Sequence, residues 1–76
     1  MEEQAFRQAV EEHRDVVFRI ALTYLRDRAD ADDVAQDVFL KLLKSDGRFE
    51  SWEHLRRWLI RVTINECKSL FRKPWR

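Results

Sequence analysis

Arg57, Arg61, Asn65, Lys68 and Arg72 follow one another at steps of four, four, three and four residues. At about 100° per residue, a helix carries all five within an arc of roughly 80°. Four cations and one amide on a single stripe suit a polyanion. Guanidinium and ammonium groups take phosphates, and the amide can both donate to and accept from a base edge. Trp58 stands at the edge of the stripe. Cations beside an aromatic ring fit single-stranded DNA, where phosphates supply affinity and each exposed base can stack for about 1 to 3 kcal/mol. Carboxylates are sparse here, whereas an ordinary solvated helix face mixes both signs.

Two further groups could do chemistry. Phe49 falls in a short loop without evident apolar neighbours, and Trp52 follows three residues later. Together they could line a pocket for an unstacked base, while a plain plug beneath the loop is the competing role for Phe49. Upstream, Asp33, Gln36, Asp37, Leu40 and Lys44 share one helix face. Leu40 projects among charged neighbours there, and an apolar residue so placed can anchor the basic surface of a protein partner.

These side chains need rigid carriers, and the sequence supplies helices. One Gly (Gly47) and one Pro (Pro74) leave few interruptions. Phe6, Ala9, Val10, Val17, Ile20, Ala21 and Tyr24 recur at helical spacing, either in one long helix or in two collinear ones meeting near His13 to Asp15. The run 26–30 interrupts the pattern, and Asp30 is the expected N-cap of a second helix reaching about Lys44. Its buried stripe is Ala31, Val34, Ala35, Val38, Phe39 and Leu42, within an arc of about 140°. Ser45-Asp46-Gly47 stops it, Ser51 is the expected next N-cap, and a last helix runs from Trp52 towards Lys73, with Pro74 marking its end. Beneath the cationic stripe that helix has Leu59, Ile60, Thr63, Cys67 and Leu70, flanked by Ile64 and Phe71. The expectation is one all-α domain, a compact bundle of three to four helices over residues 1–76.

Composition narrows the function classes. At 76 residues, with 45% hydrophobic and 38% charged, the chain is amphipathic, with no apolar run long enough for a membrane span. Met1-Glu2-Glu3-Gln4 is acidic and no apolar stretch follows, so no leader is expected. The single cysteine, Cys67, has no partner for a disulfide and reads as a small semi-buried residue in a reducing cytoplasm. His13 and His54 are far apart and read as surface or boundary residues. No metal-ligand spacing, phosphate-binding glycine loop or nucleophile arrangement is present, so neither a cofactor nor an enzyme is expected. Charge is split: residues 1–50 carry eight Lys/Arg against twelve Asp/Glu, and residues 51–76 carry seven against two. Such polarity points to two partners of opposite electrostatic preference.

Two strings carry a family resemblance. Asp30-Ala31-Asp32-Asp33-Val34-Ala35-Gln36-Asp37-Val38-Phe39-Leu40 resembles the D-A-E-D-x-x-Q-E-x-F signature of extracytoplasmic-function (ECF) sigma factors. Trp58-Leu59-Ile60-Arg61-Val62-Thr63-Ile64-Asn65 resembles their W-L-x-R-I-A-x-N, in the right order and about twenty residues on. The resemblance spans roughly Ala5 to Lys73 and implies a sigma-factor region 2 bundle that acts in bacterial transcription initiation. It further implies that Asp33, Gln36, Asp37 and Leu40 dock on the clamp helices of the RNA polymerase β′ subunit. The last helix and its loop would bind the non-template strand of the promoter −10 element and open the duplex, with a flipped base held around Phe49 and Ser51. Arg61, Asn65 and Ser69, one above the other, match the family's base- and backbone-contacting positions. An anti-sigma factor is a possible further partner.

The chain departs from the family pattern at three points. Thr63 replaces a small alanine, which bears on packing and not on the stripe. Leu59 stands where primary sigma factors have a second aromatic, so opening should rely less on stacking wedges and tolerate fewer promoters. The family's second, helix-turn-helix domain, reader of the −35 element, is expected to be absent from residues 1–76. Two other readings stay open from the residues alone: a double-strand-reading helix-turn-helix regulator, and a helical protein-interaction module.

Overall fold

Glu2 opens the first helix by turning its carboxylate onto the Ala5 amide, 2.9 Å away, and that hydrogen bond holds its pKa below the ordinary carboxylate value. The computed structural model describes residues 1–71, the last by its backbone only, and contains three α-helices. Helix α1, Glu3–Leu25, is continuous through His13 to Asp15, so the single-helix alternative holds. It ends at Arg26, which adopts a left-handed conformation (φ 54°, ψ 34°) and donates its amide to the Leu22 carbonyl at 2.8 Å. That conformation usually falls to glycine, and an L side chain there costs about 1 kcal/mol.

Helix α2, Arg28–Lys44, starts one turn earlier than the sequence suggested. Asp27, and not Asp30, is the N-cap: its Oδ1 accepts the Asp30 amide at 2.9 Å. Asp30 instead lies in the first turn, where a carboxylate suits the positive end of the helix dipole, and Lys41 and Lys44 suit the other end. The turn is so tight that Arg28 places its guanidinium 6.0 Å from the Phe18 ring centre. Ser45 closes α2, with both its hydroxyl and its amide on the Leu42 carbonyl. Gly47 follows at φ +73°, packed against Met1, whose ammonium donates to the Ser45 carbonyl at 3.1 Å.

Helix α3, Trp52–Phe71, begins as expected at Ser51, whose hydroxyl accepts the His54 amide at 3.0 Å. Every helix packs against the other two. The reason is a common four-residue rhythm. Ala9, His13, Val17 and Ala21 are the buried row of α1, Val34, Val38 and Leu42 run along α2, and Leu55, Leu59, Thr63 and Cys67 run along α3. Rows spaced by four form ridges that seat in one another's grooves. The small residues of α1 let the partner helices approach closely.

Three expectations about this core change, and one holds. His13 is 2% exposed, not a boundary residue, and its Nδ1 lies 2.9 Å from the Ala9 carbonyl one turn back. Cys67 is fully buried; burial, then the neighbouring Glu66, pushes its thiol pKa up. Ala35 is only half-buried. Thr63 is buried with its hydroxyl satisfied by the Leu59 carbonyl at 2.6 Å, so the departure from alanine leaves no orphaned polar group.

Candidate nucleic-acid interface

Four buried residues of α3, Leu55, Leu59, Thr63 and Cys67, fix the helix against the core and thereby fix what its other face presents. Arg57, Arg61, Asn65, Lys68 and Ser69 are all exposed on that one unbroken helix. From Arg57 to Lys68 the ridge runs about 16 Å, at about 1.5 Å per residue. Among the described residues no carboxylate comes within ion-pair distance of Arg57, Arg61 or Lys68. Of the two acids on α3, Glu66 is taken up by Lys41 of α2, and Glu53, one turn before Arg57, forms no ion pair with it. The ridge is thus free of ion pairs among the described residues, and a surface of that kind attracts anions. Arg72, Lys73, Pro74 and the side chain of Phe71 lie outside the described residues.

On one flank, Ile64 forms a shallow groove of about 310 Å³ with Arg19, Ile20, Thr23 and Tyr24, a lining without a carboxylate. On the other stand Trp58 and the 45–51 loop. Here the structure corrects the sequence reading: Phe49 has close neighbours. It is half-buried, with its ring edge-on to Trp58 (5.5 Å, 68°) and to His54 (5.4 Å, 77°). Trp52 turns elsewhere, 39% exposed, tilted over His13 at 5.4 Å with its indole N–H donated to Glu12. Phe49 and Trp52 therefore belong to two separate ring contacts, one on α3 and one on α1. Side chains also pin the loop backbone: Gly47 N–H to Ser45 Oγ (3.3 Å), Arg48 N–H to Asp46 Oδ1 (3.0 Å) and Glu50 N–H to His54 Nδ1 (3.1 Å). Ser51 is exposed beside these bonds while its hydroxyl caps α3.

The acidic face lies on another side of the bundle. Asp33, Gln36, Asp37 and Leu40 are all exposed, Leu40 at 48%. Leu43, 43% exposed, is a further apolar residue on α2 that the sequence reading passed over. Gln36 and Leu40 also border a groove of about 650 Å³ between α1 and α2, floored by Phe6, Val10, Phe18, Ala35 and Phe39. Phe6, Val10 and Phe18 sit beside the Ala9–Val17–Ala21 row, and that second apolar row was the signal available for the groove. Two carboxylates, Asp15 and Asp32, line it against one cation, Arg14, so its charge balance is acidic where that of the α3 ridge is basic.

Residues 9–76 match the family described as sigma-70 region 2. The chain belongs to that family. It is 28% identical over 68 residues to the RNA polymerase sigma-H factor of Pseudomonas aeruginosa, covering 90% of this chain and 35% of that protein. It is 30% identical over 71 residues to the RNA polymerase sigma factor NccH of Alcaligenes xylosoxydans xylosoxydans, covering 93% and 38%. It is 31% identical over 72 residues to the ECF RNA polymerase sigma factor SigE of Mycolicibacterium smegmatis, covering 88% and 26%. The chain thus spans well under half the length of these relatives. No solved structure matches it. Three helices without a strand among the described residues agree with the all-α bundle expected of region 2. None of these helices is long and apolar enough to cross a membrane.

Proposed function

We propose that this region 2 domain serves bacterial transcription initiation by joining RNA polymerase core to the −10 element and favouring its open form. The un-neutralised ridge Arg57–Arg61–Lys68, carried with Asn65 on a helix anchored from beneath, is the observation that supports the reading most strongly. In it, the ridge binds phosphates of the non-template strand, with Arg72 as a fourth cation. Asn65 and Ser69 reach base edges, and Phe49, Ser51 and Trp58 receive an extruded base. A surface that binds only separated strands shifts the duplex towards opening by its differential affinity. Phe49 would have to part from Trp58 or accept the base against its outer face.

Asp33, Gln36, Asp37 and Leu40 form the docking face for the polymerase β′ clamp helices. Leu40 supplies the apolar anchor, and the carboxylates match a basic partner. An anti-sigma protein covering either surface would silence it. The site of action is the cytoplasm, and the domain works by binding, without a reaction of its own. The α2–α3 connection, residues 45–51, is longer than the three or four residues usual in a helix-turn-helix, which disfavours a duplex-reading regulator.

The test is a titration of single strands varied at every −10 position against wild type, Asn65→Ala and Phe49→Ala. Each substitution should flatten the preference at one position by about five- to tenfold, as for loss of one good base contact. Base preference unchanged in both variants would remove these residues from the reading role.

A further inference from the structure

His54 occupies a place in the fold that neither catalysis nor core packing explains. It is half-buried in the first turn of α3, and it touches the preceding loop twice. Its backbone amide is taken by Ser51 Oγ at 3.0 Å, and its ring Nδ1 accepts the Glu50 amide at 3.1 Å. In a capping box the residue three positions after the capping serine, usually Glu or Gln, reaches back to the serine's own amide; here His54 reaches one residue further, to the Glu50 amide. An imidazole nitrogen accepts only when it carries no proton, so the bond also fixes the tautomer with its proton on Nε2. The same ring meets Phe49 at 5.4 Å, and Trp58, one turn further along α3, meets Phe49 at 5.5 Å.

Three consequences converge. The Glu50 amide is the loop's last backbone donor before the helix cap, and His54 alone holds it. Phe49 is the residue next to that amide, so the hydrogen bond sets where its ring leaves the backbone. The ring then lands against both His54 and Trp58, at the edge of the cationic ridge. A displacement of the Glu50 amide would swing Phe49 along α3, and a base contact displaced by about 1 Å loses its directionality.

We infer that His54 is a positioning residue for base selection: it presets the Phe49–Ser51 loop through the Glu50 N–H···Nδ1 bond, without touching DNA. The inference rests on the base-reading role proposed above for that loop. Two substitutions separate the acceptor from the ring. His54→Asn keeps an acceptor where Nδ1 stood and removes the ring. His54→Phe keeps the ring and removes the acceptor.

The experiment measures, by fluorescence anisotropy, single strands varied at each −10 position and a random strand across a salt series, with thermal melts of each variant. His54→Phe should reduce preference at the loop-read position by about fivefold, the share of one hydrogen bond. Its random-strand affinity and salt slope should match wild type, and His54→Asn should retain the preference. His54→Ala, which also lacks the acceptor, replaces His54→Phe if the latter melts too low to assay. Full preference in the variant lacking the acceptor, or equal loss in His54→Asn, overturns the inference. A wild-type protein with no preference at any position overturns the reading beneath it as well.

Discussion

Replacing His13 tests how the start of α3 is fastened to α1. The ring is 2% exposed, bonded through Nδ1 to the Ala9 carbonyl and covered by Trp52. His13→Ala removes a buried ring from a row whose neighbours, Ala9, Val17 and Ala21, are too small to close the gap. Large-to-small core changes cost about 2 to 5 kcal/mol, and a partly polar ring falls at the lower end, about 2 kcal/mol. A chain of this size has a total stability of about 4 to 11 kcal/mol, so the loss is a substantial fraction of it. It corresponds to a fall in Tm of about 8 to 16 °C. The Ala9 carbonyl keeps its helical donor, so His13→Leu, which refills the space, should stay within about 1.5 kcal/mol of wild type. Circular dichroism melts of the three proteins give the answer. A drop under about 3 °C for His13→Ala, the behaviour of a surface histidine, would refute the argument.

Arg26→Gly should raise stability by about 0.5 to 1 kcal/mol, because glycine takes the left-handed conformation at no steric cost; a lower Tm would contradict it. Native Cys67 should react with an alkylating reagent only as fast as the chain unfolds, since its thiol is buried and its pKa raised, and modification at the rate of a free thiol would count against the core. The Glu2 cap should weaken in acid. Its carboxylate pKa is lowered in the folded state, so the stabilisation is complete above the ordinary value of 4.5 and fades as pH falls through the lower folded value. Hydrogen exchange at the Ala5 amide reads this, and protection that stays constant down to pH 2 would be the contrary result.

The α3 ridge was legible because its code is local. Steps of three and four place residues on one face whatever the tertiary context, and Ser51 caps where a serine precedes such a run. What escaped was set by contacts distant in sequence, or by competition between equivalent residues. Asp27 and Asp30 are equally able caps, and the left-handed Arg26 decides between them by aiming the chain into α2 one turn earlier. His13 was read by its polarity, although it sits four residues from both Ala9 and Val17 and so within the buried row. Phe49 looked isolated because its neighbours, His54 and Trp58, lie on the next helix and meet it only when the loop folds back. The Trp52–Glu12 bond, forty residues apart, has no local signal at all.

Whether the exposed cationic ridge prefers separated strands is tested most directly by affinity as a function of salt. The −10 non-template strand and its duplex would be titrated in parallel between 50 and 200 mM salt. With about four phosphate contacts, the single strand should bind more tightly than the duplex and lose about fiftyfold across that range, a log–log slope of roughly −3. Equal or tighter binding of the duplex, or an affinity indifferent to salt, would contradict the account.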